Sequence, residues 1–399
     1  MRLARASSIA ALMVCLLSFA GSLPAWAAWT ETEIRDFGDS DSETSSLVLS
    51  PTDRPFVAWQ GRGSNDLFWA KRTPSGWDRT EVARNPDFTQ CYTTENPYVG
   101  PSATFALNGT PRIASACIAV GGGSPVLYTT QTARGDWKTV RVGRGASGMS
   151  CDSSATDVDI TNDPGGKPFI VVTDQCTKKV VGFFRQNGDW RRVTMLSPGS
   201  LAPFMFGAMS ITTDPMSGRL AMALNTDVYG RGQLFIEAFT WRGAWISDAE
   251  VTVTPLPGGD VVYGEPDLRF ADDGTGFLAF QAGSPYGTPT ADKYGFLKLM
   301  TRDSDTWGPP ATVDDAATVT GADPALWVSD GTLYLAYRDE TNGDLRFATS
   351  TDGTSWSAET VFGPHDTGLY PELVVTSGGV AHLAYHDATT TALMSTKGP

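Results

Sequence analysis

The chain has 399 residues, 41% of them hydrophobic and 19% charged, with 42 Gly, 25 Pro and 12 Trp. So much apolar surface with so little charge rules out a disordered chain, and Gly and Pro spread along the whole length suit many short strands better than helices. Forty-four acids against 30 bases give a net charge of −14, and with no Lys/Arg run this weighs against a nucleic-acid partner.

In chain order the first element is a leader. Arg2 and Arg5 precede an apolar run through Leu17, and Ala25-Trp26-Ala27 forms a small-x-small cleavage site. This is the pattern of a secretory signal peptide spanning residues 1–27. Removing its two arginines takes the net charge from −14 to −16. No other uncharged run is long enough to span a bilayer. The mature chain, residues 28–399, is therefore expected to be one soluble domain, secreted or periplasmic and without membrane insertion.

From Trp29 onward the sequence repeats. Seven tryptophans stand just after a polar turn and just before a strand-like run: Trp29, Trp77, Trp137, Trp190, Trp245, Trp307 and Trp356. Upstream of each from Trp77 on lies an alternating strand, as in DLFWAKR, PVLYTTQ and DLRFATS. Further upstream comes a hairpin turning on Gly, Pro, Asp or Asn, followed at once by a second apolar strand such as FVAW, FIVV or AHLAY. Four short strands per unit of about 50 residues predict a β-propeller blade. The last unit, AHLAYHDATTTALMST, lacks its tryptophan strand, and the mature chain begins with one, AWTETEI. Joining the two completes a seventh four-stranded blade and removes the exposed sheet edges. The expected fold is an all-β, seven-bladed propeller whose last blade is closed by the N-terminal strand.

Four cysteines follow the leader. Cys91 and Cys151 enter consecutive blades, while Cys117 and Cys176 stand at or just after the second strands of those blades. The repeat therefore predicts the disulfides Cys91 with Cys117 and Cys151 with Cys176, each stabilising the fold by roughly 3 kcal/mol.

Ser350-Thr351-Asp352-Gly353-Thr354-Ser355-Trp356 resembles the Asp-box, or BNR repeat, of sialidase-like propellers, one residue short of the pattern S-x-D-x-G-x-x-W. The resemblance implies the fold, with Asp capping a tight turn and Trp packing between sheets. Proteins with this box include glycosidases, lectins, lyases and scaffolds, so it does not imply a reaction. The F/Y-R-I-P signature of sialidases is absent, the nearest string being Pro111-Arg112-Ile113.

In a propeller, the segments that enter the blades and the loops after the second strands share one face above the central channel. Tyr98, Tyr263, Glu265, Asp267, Asp323, Tyr370 and Glu372 belong to the first set, and Arg338, Asp339 and Asp387 to the second. Acids alternating with aromatics suit a carbohydrate, whose ring faces stack and whose hydroxyls bond to carboxylates. The same residues also fit a structural role, satisfying loop backbone and packing between blades. The acids could hold Ca²⁺, for which Asp39-Ser40-Asp41-Ser42-Glu43 has oxygen ligands but no EF-hand spacing. If the protein is an enzyme, His365, His386, Tyr370 and Glu372 are the catalytic candidates, because a His/Tyr pair serves the proton abstraction of a polysaccharide lyase. Three readings remain: a monomer that binds a glycan or a cell-surface protein without a cofactor, a carbohydrate-active enzyme of lyase or sialidase-like type, and a scaffold.

Overall fold

A computed structural model describes residues 29–36, 44–61, 66–84, 91–92, 100–116, 118–119, 125–144, 157–174, 179–196, 208–226, 234–241, 245–253, 256, 260–283, 295–304, 306–314, 319–362 and 366–398. They form seven antiparallel sheets, one per blade, with one further two-stranded pair and no helix. Among the described residues no helix is long and apolar enough to cross a membrane. The first blade is typical: Ser45–Leu49 innermost, then Pro55–Gln60, Leu67–Thr73 and Gly76–Ala83 outward. The innermost strands of blades 2 to 7 are Ser102–Phe105, Val158–Asn162, Ala208–Thr213, Val261–Phe270, Thr320–Ser329 and Leu369–Val375. Blade 7 continues with Ala381–Asp387 and Ala392–Lys397 and ends on Thr30–Asp36, so the expected closure by the N-terminal strand is found. Tyr385 on its second strand donates a hydrogen bond to Glu31 across that seam.

The interior divides into seven apolar clusters, each between two consecutive blades, and each receives one of the seven repeated tryptophans. The outermost strand carries the tryptophan and packs it on the preceding blade. Trp29 meets Phe347 at 5.0 Å, Trp190 meets Tyr128 at 5.1 Å and Trp245 meets Phe169 at 5.1 Å between ring centroids, all edge-on. Second strands lie between neighbours on both faces, so strands such as Pro168–Asp174 and Ala381–Asp387 are buried at every position and read as nearly unbroken apolar runs.

Six blades bend their outermost strand with a register shift, as between Leu67 and Phe68 or between Glu33 and Arg35. The extra residue increases the twist that a propeller blade needs. Blade 5 takes another route: its outermost strand splits into Thr306–Trp307 and Ala311–Thr312, since Pro309 and Pro310 supply no ladder donor. In the Asp352 turn, Ser350 Oγ accepts the Gly353 N–H at 2.9 Å, and Asp352 Oδ1 accepts those of Thr354 and Ser355 at 2.7 Å each. These bonds hold the Asp352 carboxyl well below the usual carboxylate range.

The short pair Cys91–Tyr92 and Ile118–Ala119 brings the predicted disulfide segments of blade 2 alongside each other. Cys117, Cys151 and Cys176 lie outside the described residues, as do the leader and Asp39-Ser40-Asp41-Ser42-Glu43.

Candidate functional site

The seven innermost strands surround a central cavity of about 300 Å³. Their side chains alternate, and every second residue meets the channel or the neighbouring blade. Equivalent positions therefore fall into rings, and two rings carry the polar chemistry. The deeper one consists of Ser46, Ser102, Asp159, Ser210, Asp267, Ala325 and Glu372. The ring nearer the mouth, two residues earlier in each strand, consists of Thr44, Gly100, Asp157, Ala208, Glu265, Asp323 and Tyr370.

The deeper ring clasps each blade to the next. Ser46 Oγ accepts the Ala103 N–H at 3.0 Å, and Ser102 Oγ accepts that of Ile160 at 3.2 Å. Asp159 Oδ2 accepts the Ile211 N–H at 2.8 Å, Ser210 Oγ that of Leu268 at 3.1 Å, and Asp267 Oδ2 that of Leu326 at 2.8 Å. Glu372 accepts the Leu47 N–H across the seam between blades 7 and 1. The serines also serve the acids: Ser102 donates to Asp159 at 2.5 Å and Ser210 to Asp267 at 3.2 Å. Arg269 reaches Asp267 at 3.1 Å. Burial disfavours the Arg269 charge, but Asp267, Asp159 and Glu372 outweigh it and raise its pKa.

The mouth ring is less committed. Asp157 Oδ2 accepts the Met209 N–H at 2.7 Å, and Asp323 Oδ1 accepts that of Glu265 at 3.2 Å. Gly100 is glycine because a Cβ there would stand 2.4 Å from Thr44 Oγ1. In blades 6 and 7 the mouth residue precedes proline in the left-handed region, with φ of 45° at Asp323 and 48° at Tyr370. A register shift follows each, and the prolines lose no ladder bond because the bulge supplies no acceptor there.

Among the described residues, six carboxyl groups and one guanidinium thus line the cavity. Burial pushes Glu372 up to about 8, with Asp267 adding to the shift, and pushes Asp323 up to about 6. Burial and the neighbouring acids hold Glu265 and Asp157 well above the usual range, and burial also raises Asp159. Like charges this close cannot all ionise, so at neutral pH several of these groups are neutral acids that donate as well as accept hydrogen bonds. Among the described residues no group of three or more His, Cys, Asp or Glu side chains has the arrangement of a metal site.

Of the residues expected at the mouth, Glu265, Asp267, Asp323, Tyr370 and Glu372 come together in this cavity. Tyr263 is only 2% exposed and pairs with Gln281 on the second strand of blade 5. Asp339 and Asp387 cap their own hairpin turns, accepting the N–H groups of Thr341 and Asn342 and of Thr389 and Thr390. Arg338 binds Asp366 and the Thr367 carbonyl, stapling blade 6 to the start of blade 7. His386 is buried on the second strand of blade 7, opposite Leu369 and away from the cavity lining. Tyr98 and His365 lie outside the described residues. Sequence reasoning passed over Asp157 and Asp159, whose Asp-Val-Asp string has Val158 where blades 2, 5, 6 and 7 have proline. Aligning the repeats on that proline would have found them.

No protein-family model matches the chain, and no curated protein does. Solved structures do match in fold. A PL25 ulvan lyase bound to -[GlcA(1-4)Rha3S]- aligns with a TM-score of 0.61 at 10% identity, covering 92% of this chain and 94% of its own. The GH93 alpha-L-arabinofuranosidase of Fusarium graminearum, in complex with arabinobiose, gives 0.51 at 12% identity over 93% and 97%. An alpha-L-arabinanase of Penicillium chrysogenum, also with arabinobiose, gives 0.51 at 14% identity over 93% and 97%. At these identities the likeness establishes the β-propeller fold of the chain and nothing about its chemistry.

Proposed function

We propose that this chain is an exported, monomeric β-propeller that binds a neutral carbohydrate at the channel mouth without turning it over. The observation that supports it is the mouth ring, where Asp157, Glu265 and Asp323 stand with Tyr370 around one opening. Acids held partly neutral offer both donors and acceptors to hydroxyls, and a tyrosine ring offers an apolar face. An anionic sugar is disfavoured. A uronate or sialate needs cations, and Arg269, the only guanidinium among the described lining residues, is already paired with Asp267. The same fact weighs against the lyase and sialidase-like readings, as does the position of His386 outside the lining residues. The solved propellers bound to oligosaccharides lend the reading an analogy of fold only.

Passing residues 28–399 over immobilised neutral and uronate-rich polysaccharides tests the proposal. Retention on neutral polymers alone, with no release of oligosaccharide, is the expected result. Product release that Tyr370→Phe abolishes would replace binding with catalysis, and no retention on any polymer would leave a scaffold.

A further inference from the structure

The clasp ring is broken at one place. Six of its seven positions present an oxygen to the next blade, but the blade 6 position is Ala325. The six clasped amides belong to Leu47, Ala103, Ile160, Ile211, Leu268 and Leu326, and each sits in the same register against its second strand, for example Ile160 against Ile170 and Leu268 against Leu278. Each points its N–H away from that strand and towards the preceding blade, where the clasp receives it. Leu373 in blade 7 occupies the identical register, opposite Leu383. Its N–H therefore points at blade 6, where Ala325 offers only a methyl group. A buried amide left unmet costs free energy, so a donor at this position calls for an oxygen. Tyr370 and Glu372 border the gap on one side and Pro324, Ala325 and Trp327 on the other, all of them lining the cavity.

We propose that the Leu373 N–H is a ligand-binding donor, the point in the wall where an oxygen of the bound molecule, a hydroxyl of a neutral sugar, takes the place of the missing clasp. The proposal rests on the carbohydrate reading above and assigns it a subsite between blades 6 and 7. Serine at position 325 would carry the acceptor that Ser46, Ser102 and Ser210 carry at theirs, and so would fill the subsite from within.

The test is residue-resolved amide hydrogen exchange on the ¹⁵N-labelled full mature chain, with cellobiose, xylobiose and arabinobiose as probes, on the wild type, A325S and A325G. The Leu373 amide should exchange at least tenfold faster than the six clasped amides. A325S should slow it to their level, raise Tm by about 2 °C and weaken binding of the retained sugar at least tenfold. A325G also leaves the position without an acceptor, so its Leu373 amide should exchange as fast as in the wild type. The retained sugar should slow Leu373 exchange in the wild type. A Leu373 amide as protected as the other six overturns the proposal whatever the sugars do. Sugar binding that leaves Leu373 unaffected overturns it while the carbohydrate reading stands. No binding of any probe, together with no retention on the polymers, ends both.

Discussion

The two rings of the channel differ by two residues in each strand and carry three carboxyl groups each, yet those groups are not equally committed. In the deeper ring, Asp159, Asp267 and Glu372 each hold a backbone N–H of the next blade. In the mouth ring, Asp157 and Asp323 each hold a backbone N–H of a neighbouring blade as well, but Glu265 holds none and stands beside them with no cation of its own level. Acidity in a propeller channel is therefore not one property. Where a carboxylate closes the ring it replaces a strand-to-strand bond that the architecture cannot form, and Glu265, which closes nothing, is the acid that the proposed function assigns to a ligand.

The sharpest way to break this distinction is to remove a deep acid. Asp267→Ala should cost about 2–3 kcal/mol in chemical denaturation, chiefly because it orphans the buried Leu326 N–H and, to a smaller extent, because it leaves the partly exposed Arg269 without its partner. A loss under about 1 kcal/mol would mean that the clasps do not hold the ring. Next comes pH. Glu372 is raised from 4.5 to about 8, so the folded state binds the proton more tightly than the unfolded chain does. Its contribution is fully present below about pH 4.5 and is lost as pH rises through about 8. Asp323 acts in the same direction between 3.8 and about 6. Thermal melts should accordingly show Tm falling from pH 5 to pH 8.5, on the order of 2 kcal/mol of stability, and Glu372→Gln should flatten that slope. A flat wild-type profile would remove the neutral-acid account. At the mouth, Glu265→Gln should change stability at pH 7 by less than about 1 kcal/mol while it abolishes retention on neutral glycans. Equal losses of stability at both levels would erase the contrast altogether.

Much of the architecture was legible in the sequence. The seven tryptophans recur because each seals one of seven inter-blade clusters, and a position demanded by packing survives in every repeat. The split seventh blade followed from counting strands at the two ends. The site was only half legible. Glu265, Asp267, Asp323, Tyr370 and Glu372 were found because proline marks their strands, but nothing local separates Asp267 from Glu265 two residues away. Their difference arises only when seven strands stand in a circle and residue i of one blade meets residue j of the next. Tyr263, Asp339 and Asp387 show the same limit from the other side. Their residue types suit a ligand, and the structure has buried one and turned the others onto their own hairpins.

The seam in blade 7 also sets an order of events. Trp29 bonds Glu359 at 3.0 Å and the strand Thr30–Asp36 pairs with Ala392–Lys397, so a strand that precedes blade 1 in sequence waits for blade 7. Blades 1 to 6 draw their strands from contiguous sequence and can assemble as the chain emerges. The circle cannot, since its final bond spans more than three hundred residues and carries the loop-closure entropy of the whole chain. Until that moment Asp159, Asp267 and the other clasps have formed one by one, whereas Glu372 gains its partner Leu47 only when the two ends meet. The residue at the seam of the deep ring is thus also a reporter of ring closure, silent until blade 7 meets blade 1.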